Sequence, residues 1–363
     1  MSALLTFDDV LIVPKFSSIK SRKDVTLNTF VAGDLLTLPI ISANMDTVTG
    51  SRMALHMLVN GGQACLHRFA SINDTLDMFA FACHQGRKPM VSIGLGNEEL
   101  ERAVALRSAG ATHFVIDVAH GAQQAVVDQV RAMRIALGNE IYIMVGNFAS
   151  ADSVKEFLER SYEVDGIKVG VGPGSACTTR IKTGVGYPQL SAIKEIATLL
   201  KNTDIHVIAD GGMKTPGDIA KALGAGAHMV MLGGMLSGTE ETPGNIVNEN
   251  GFEPSYSYDP ALPEKKYYAL APGEKLFKKY RGSASQESYE AQGKTGTHRT
   301  SEGESFLVPY KGSVSAVLAD IEGGIRSAMT YVGARNLDEF RGRCEFVQIS
   351  PATAKENGAH GKS

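Results

Sequence analysis

Short apolar runs of the β type recur along this chain, and each is followed by a longer stretch in which apolar positions have helical spacing. The runs are Pro39–Met45, Gln63–Leu66, Pro89–Gly94, His113–Val118, Ile141–Val145, Gly166–Val169, His206–Ala209 and His228–Leu232. Between them lie amphipathic stretches, among them Glu98–Ala109, Gln123–Leu137, Ala151–Arg160, Gln189–Lys201 and Pro216–Leu223. Strands that alternate with helices in this way indicate parallel pairing through right-handed crossovers.

Eight such units predict a closed (β/α)8 TIM barrel, and residues 1–350 are expected to form one catalytic domain around it. An open doubly wound sheet is the alternative, although no Gly-rich first turn supports it. After the eighth run the rhythm breaks. Residues 237–312 are expected to form an extended loop excursion, of which Ser237–Gly293 has no clear strand–helix unit. Long loops of this kind are usually functional.

The two ends of this region complete the predicted architecture. The helical pattern returns at Ser313–Tyr331, which is expected to close the barrel as its last helix. Residues 351–363 are polar and are predicted to be a disordered tail.

Charge and cysteine usage limit the partners and the compartment. The 363 residues carry a formal net charge of −3, so no overall basic field would attract nucleic acid or an anionic membrane. The sequence has no run of 18 apolar residues and no signal-peptide pattern at its start. Its four cysteines are widely spaced, which is typical of a reducing compartment. We therefore expect a cytoplasmic protein without nucleic-acid or membrane partners.

Glycine-rich segments follow four consecutive predicted strands, where barrel enzymes build their sites. The segments are Gly146-Asn147, Gly170–Ser175, Asp210-Gly211-Gly212 and Gly233-Gly234. Glycines let backbone N–H groups approach an anion, and the last two strand ends are the usual phosphate site of such barrels. A carboxylate at Asp210 would repel a phosphate, so we expect it to accept hydrogen bonds from ribose hydroxyls. The alternative is that these glycines only form tight turns.

Cys177 differs from the other cysteines because it lies in a polar loop at the end of a strand. Arg180 follows it closely and is expected to favour the reactive thiolate. Cys65 and Cys83 lie in apolar surroundings and are expected to be inert core residues. The sequence places no histidine base beside Cys177, which favours an electrophile that needs only a thiolate with local acid–base help.

The loop around Cys177 resembles the active-site loop of the IMP dehydrogenase/GMP reductase family. The similarity spans Gly172–Arg180 and Lys182–Leu190, and further motifs match at Leu5–Leu11, Ser42–Val48 and Gly323–Ser327. The order Cys-Thr-Thr-Arg resembles the reductase branch. So does the short spacing between Leu66 and Pro89, where dehydrogenases usually carry a regulatory domain. Arg299–Gly303 is also similar to a reductase segment.

The resemblance implies an activity and a mechanism. The expected reaction is the NADPH-dependent reductive deamination of GMP to IMP and ammonia, through a covalent thioimidate on Cys177. Thr179 and Glu302 would relay the proton that the leaving amine requires. The implied substrate is a purine nucleoside monophosphate, and the implied assembly is a homotetramer.

The resemblance also implies roles for the residues that bind substrate, cofactor and K⁺. For the nucleotide these are Ser175, Gly212, Gly233, Gly234 and Tyr280 at the phosphate, Asp210 at the ribose, and Gly282, Ser285 and Arg299 around the base. For the nicotinamide cofactor they are Asp117, Ala119, His120 and Gly170. For a monovalent cation such as K⁺ they are the carbonyl oxygens of Gly172, Gly174 and Cys177.

Three features depart from the family pattern and keep alternatives open. His120 stands where reductases usually have Asn, Ser283 stands where Met is usual, and Asn248–Lys275 is longer than expected. The alternatives are a compact IMP dehydrogenase without the regulatory domain, an enzyme with altered purine preference, and a regulatory barrel that binds nucleotide without turnover.

Overall fold

A closed barrel of parallel strands forms the centre of the molecule. The computed structural model describes residues 4–31, 33–161, 163–259, 262–268, 270, 273–291, 300–350 and 353. The barrel strands are β1 (Ile40–Ser42), β2 (Gln63–Leu66), β3 (Met90–Ile93), β4 (His113–Asp117), β5 (Tyr142–Phe148), β6 (Gly166–Val169), β7 (His206–Asp210) and β8 (Met229–Leu232). β8 pairs with β1 and closes the sheet. The predicted (β/α)8 barrel is therefore confirmed, and the open sheet is wrong.

Helices follow the strands, and most of those described pack on the outside of the barrel. They are α1 (Ser51–Val59), α2 (Ile72–Ala82), α3 (Asn97–Ser108), α4 (Gln124–Leu137), α5 (Ala151–Leu158), α6 (Thr179–Thr183), α7 (Gln189–Leu199), α8 (Pro216–Gly224), α9 (Gln286–Ala291), α10 (Val314–Val332) and α11 (Leu337–Arg343). The segment between Leu66 and Pro89 contains α2 and a short turn, as its length predicts.

Two apolar layers hold the barrel together. The outer layer lies between the helices and the strands. The inner layer fills the barrel and consists largely of long, unbranched or β-branched side chains such as Ile41, Met90 and Met144. An N-terminal hairpin, Thr29–Val31 with Asp34–Leu36, adds Val31 and Leu36 to this inner layer. The barrel interior is thus packed and leaves space for a site only at its mouth.

The excursion between β8 and α10 contains more regular structure than the sequence pattern indicates. Tyr256–Asp259 pairs with Leu262–Tyr268, and Phe277–Arg281 pairs with Ser305–Pro309. In Phe277–Arg281 the buried positions are Lys278 and Tyr280. The sequence does not show this strand as an alternation of apolar and polar residues, because the buried Lys278 is charged.

The terminal segments meet beside the barrel. Val10–Ile12 pairs antiparallel with Phe346–Gln348. The predicted disordered tail, 351–363, lies outside the described residues apart from Thr353. Among the residues that the structure describes, no helix is both long enough and apolar enough to span a membrane.

Two adjacent glycines in α10 give a stability test of its packing against α8. A Cβ added at Gly324 would lie 2.4 Å from Cβ of Pro216, whereas a Cβ added at Gly323 would meet nothing within 4 Å. We expect Gly324→Ala to lower the free energy of unfolding, because overpacking costs about 1–3 kcal/mol. Gly323→Ala should raise it by about 0.5–1 kcal/mol, because Ala is the better helix former. Denaturant midpoints of the two variants measure both effects, and a stabilised Gly324→Ala variant would contradict the packing described here.

Candidate active site

A cavity of about 520 Å³ opens at the carboxyl ends of the barrel strands. This is within the usual size range of small-molecule sites. Residues from the strand ends and from the excursion form its wall. Eleven of the predicted site residues line this cavity: Asp117, Ala119, Gly170, Gly172, Gly174, Cys177, Thr179, Asp210, Tyr280, Gly282 and Glu302.

A line of hydrogen bonds connects Cys177, Thr179 and Glu302 in the cavity wall. Sγ of Cys177 lies 3.2 Å from Oγ1 of Thr179, and that hydroxyl donates to Oε2 of Glu302 at 2.7 Å. Thr179 and Glu302 are 123 residues apart in the sequence. The thiol proton therefore has a direct path through a hydroxyl to a carboxylate.

Backbone hydrogen bonds hold the cysteine loop against the segment that carries Glu302. The N–H of Thr178 donates to the carbonyl of Glu302 at 2.8 Å, and the N–H of Glu304 donates to the carbonyl of Ala176 at 2.9 Å. A Cβ at Gly282 would lie 2.9 Å from the Ala176 carbonyl oxygen. Glycine is needed at that position because the two backbones approach so closely.

Arg180 lies beside the cysteine loop but does not hydrogen-bond to the sulfur in the described structure. Its guanidinium donates to the carbonyls of Val171 and Tyr187. A Cβ at Gly172 or at Gly186 would clash with the Arg180 side chain. Arg180 thus fastens the two ends of the loop, while the hydrogen-bond partner of the Cys177 thiol is Thr179.

A second group of predicted residues meets beside the cavity. Oγ of Ser175 lies 3.4 Å from the hydroxyl of Tyr280, whose ring is buried. A Cβ at Gly234 would lie 2.7 Å from Oγ of Ser175, and one at Gly233 would lie 3.1 Å from the Tyr280 hydroxyl. Burial raises the pKa of Tyr280, so the phenol stays neutral and able to donate. Gly212 is separate from this group and packs under Pro173.

A buried lysine joins the two predicted carboxylates in the cavity. Nζ of Lys168 lies 2.7 Å from Oδ2 of Asp210 and 3.0 Å from Oδ1 of Asp117, and it also donates to Oδ1 of Asn147. Burial alone would lower the pKa of Lys168, but the two carboxylates more than offset it, so that the pKa is raised. Burial likewise would raise the pKa of Asp117, yet the positive charges of Lys168 and Arg68 leave it lowered. Lys168 and Asp117 are therefore ionised near neutral pH.

Several predicted site residues lie away from the cavity. His120 is exposed and does not line it. The hydroxyl of Ser285 is buried and accepts the N–H of Ser288 at the start of α9. Arg299 lies outside the described residues. Cys83, which was expected in the core, is exposed, whereas Cys65 is buried as predicted.

Other residues of the cavity wall were not predicted from the sequence. These include Lys168 and Arg68, whose guanidinium carbon lies 5.0 Å from the centre of the Phe69 ring. A charged residue inside the apolar strand β6 and a basic residue directly after β2 were the available signals. In the described part of the chain, His, Cys, Asp and Glu side chains form no cluster that could hold a metal ion.

Comparisons with known proteins agree with this geometry. Residues 4–258 and 263–360 match the family described as IMP dehydrogenase / GMP reductase domain. The chain is 39% identical to GMP reductase 1 of Mus musculus, over 95% of each chain. It is 40% identical to GMP reductase of Phytophthora infestans, over 95% of this chain and 91% of that protein.

A solved structure has the same architecture. It is a GMP reductase variant from Trypanosoma brucei in complex with guanosine 5'-monophosphate, with a TM-score of 0.87 and 26% identity. The alignment covers 100% of this chain and 99% of that one. With a family match over almost its entire length, this chain belongs to the IMP dehydrogenase/GMP reductase family.

Proposed function

We propose that this chain catalyses the NADPH-dependent reductive deamination of GMP to IMP and ammonia. The observation that carries the proposal is the hydrogen-bonded line from Cys177 through Thr179 to Glu302 in the cavity wall. The names of the relatives, which are GMP reductases of bacterial, animal and oomycete origin, support it.

The nucleotide binds across the cavity with its phosphate at the ends of β7 and β8. Ser175, Gly233, Gly234 and Tyr280 form the phosphate cradle, because the hydroxyls of Ser175 and Tyr280 meet there beside two glycines, whose backbone an anion can approach closely. Gly212 belongs to the same region through its backbone. Asp210 accepts from the ribose hydroxyls.

The base lies toward Cys177 and contacts the excursion. Gly282 lines the cavity, and Ser285 contributes through its backbone, because its hydroxyl is used in capping α9. Arg299 completes the base site in this proposal, although it lies outside the described residues.

The first chemical step exchanges ammonia for sulfur at the purine C2. The proton of the Cys177 thiol passes through Thr179 to Glu302, and the thiolate adds to C2. Glu302 then returns the proton through Thr179 to the exocyclic amine, which leaves as ammonia. The proton that the thiol loses is the proton that the amine gains, so the step needs no other acid.

The second step replaces sulfur by hydrogen at the same carbon. A bound nicotinamide cofactor would supply a hydride to C2, and cleavage of the C–S bond would then release IMP and the Cys177 thiolate. Asp117, Ala119 and Gly170 would hold the nicotinamide end of the cofactor, because all three line the cavity. His120 would contact its exposed part, because it lies just outside the cavity on the same loop.

The remaining features of the proposal concern a cation, the assembly and the domain. K⁺ fits the carbonyl oxygens of Gly172, Gly174 and Cys177, because hard cations prefer oxygen ligands and the Gly172 and Cys177 carbonyls accept no hydrogen bond from a described residue.

We also propose one catalytic domain over residues 1–350, in which the excursion 237–312 carries the base-contacting and Glu302 segments. A cytoplasmic homotetramer is the proposed form, and the free thiols of all four cysteines support a reducing compartment.

The activity can be tested with purified protein and a panel of purine monophosphates. We expect NADPH oxidation and ammonia release with GMP. Cys177→Ala should abolish turnover and keep GMP binding, since it removes only the nucleophile. Glu302→Gln should slow ammonia release by roughly 10²–10⁴-fold and affect hydride transfer less, as expected for a lost proton relay. Thr179→Ala should slow the same step, because it removes the hydroxyl of the relay, and Thr179→Ser, which keeps the hydroxyl, is its matched control.

Two outcomes would reject the proposed reaction. NAD⁺ reduction with IMP, without any reaction of GMP, would make the chain a compact IMP dehydrogenase. GMP binding without turnover under NADPH or NADH would leave a regulatory barrel.

Thiol labelling tests the position of the nucleotide independently of turnover. Burial raises the pKa of Cys65, Cys83 and Cys344, to about 12 for Cys344, so these thiols carry less thiolate at a given pH. We expect iodoacetamide at neutral pH to modify Cys177 first. GMP should slow this modification roughly 100-fold when it exceeds its Kd 100-fold. Mass spectrometry follows each site, and exposed Cys83 is the internal control because GMP should not change its rate.

A further inference from the structure

Lys168 is a charged residue at the centre of the cavity floor. Its side chain is only 2% exposed and arises from β6, between apolar Ile167 and Val169. A Cβ at Gly146 on the neighbouring strand would lie 2.5 Å from Cβ of Lys168. The glycine on β5 therefore provides the space in which the lysine stem fits, and the ammonium group lies below the open cavity.

The ammonium group uses all of its hydrogen-bond donors on protein partners. Lysine has three donors. They are directed at Asp210, Asp117 and Asn147. Asn147 in turn donates to Oδ2 of Asp210 at 2.9 Å and to the carbonyl of Gly170 at 2.6 Å. Lys168 therefore has no donor left for a ligand, which distinguishes it from a substrate-binding lysine.

The two carboxylates are held in the same manner. Oδ2 of Asp210 accepts from both Lys168 and Asn147, while its Oδ1 accepts from no described residue and is left for a ligand. Asp117 is held by Lys168 and by Asn44, which lies at the end of β1. One ammonium group thus fixes a carboxylate on β4 and another on β7.

Electrostatics make the lysine indispensable to this arrangement. Two carboxylates within hydrogen-bond distance of one nitrogen lie close to each other, and like charges at such a site cannot both remain ionised without a counter-charge. Counted formally, the two carboxylates and one ammonium group give a charge of −1. Without Lys168 the repulsion between the two carboxylates would not be offset, and their present positions would be disfavoured.

We propose that Lys168 is a positioning residue that couples the nucleotide and cofactor halves of the cavity. This rests on the proposed function, in which Asp210 binds the ribose of the nucleotide and Asp117 lies on the cofactor side. A nucleotide that binds Oδ1 of Asp210 restrains one partner of Lys168 further, and through it restrains Lys168 and Asp117. The cofactor then loses less conformational entropy when it binds beside Asp117. Bound nucleotide therefore raises the affinity for the cofactor, and by linkage the cofactor raises the affinity for the nucleotide by the same factor.

The test measures this factor by calorimetry with GMP and NADP⁺ in the Cys177→Ala protein, which cannot react. We expect saturating NADP⁺ to lower the Kd for GMP by roughly 5–150-fold, the usual range of such coupling. Lys168→Met should reduce the factor to near one and weaken GMP binding. Lys221→Met is the matched control. Lys221 lies 3.6 Å from Asp218 on α8, away from the cavity, and its loss should leave both values unchanged.

A charge-restoring double variant separates positioning from a merely structural role. Lys168→Met with Asp117→Asn returns the group to one negative charge and leaves Asp210 hydrogen-bonded to Asn147. We expect it to recover GMP affinity to within a few-fold of the parent. Because it contains no uncompensated pair of carboxylates, it also provides the test if the single variant does not fold.

Three results would overturn the proposal. The first is no coupling in the parent, and the second is a coupling factor in Lys168→Met equal to that of the parent. The third is a double variant that binds GMP no better than Lys168→Met. A failure of the proposed function looks different, since wild-type protein would then show coupled binding of GMP and NADP⁺ without reducing GMP.

Discussion

The hydrogen bond from Thr179 to Glu302 is the interaction on which the site depends. It joins a loop at the end of β6 to a segment of the excursion, and it connects the sulfur of Cys177 to the carboxylate of Glu302. The backbone hydrogen bonds of Thr178 and Glu304 fix the two segments at the distance that this side-chain contact requires. Gly282 allows the approach, because any side chain there would meet the Ala176 carbonyl. The excursion thus forms part of the cavity wall.

The barrel could be read from the sequence because its strands are buried on both faces. Such strands appear as continuous apolar runs, and β2, β6 and β8 are buried along their whole length. The excursion could not be read in the same way. Its strand Phe277–Arg281 directs a lysine inward, and Lys278 is satisfied by the carbonyls of Glu240 and Thr242 rather than by water. Its partners are distant in the sequence, so no local pattern reveals them.

The glycine-rich strand ends and the family motifs predict most residues of the candidate site. They do not predict which partners the charged side chains contact. Arg180 was expected to act on the thiol and instead binds two loop carbonyls. Lys168 was read as one member of an apolar run, since its two carboxylate partners lie on other strands. The sequence shows that both residues are basic, but it does not show which acceptors they contact. Those acceptors come from distant parts of the chain, which the closed parallel barrel brings together.

The proposed proton path serves the step in which sulfur replaces ammonia. That step needs a base for the Cys177 thiol and then an acid for the departing amine, and one carboxylate can serve both needs in turn. Glu302 is joined through Thr179 to the sulfur. A carboxylate in this position could also accept a proton from water that attacks a thioimidate, so reduction and hydrolysis share these three side chains. The choice between the two reactions therefore depends on whether hydride or water reaches C2, and in the proposed function the nicotinamide cofactor would make that choice by supplying the hydride.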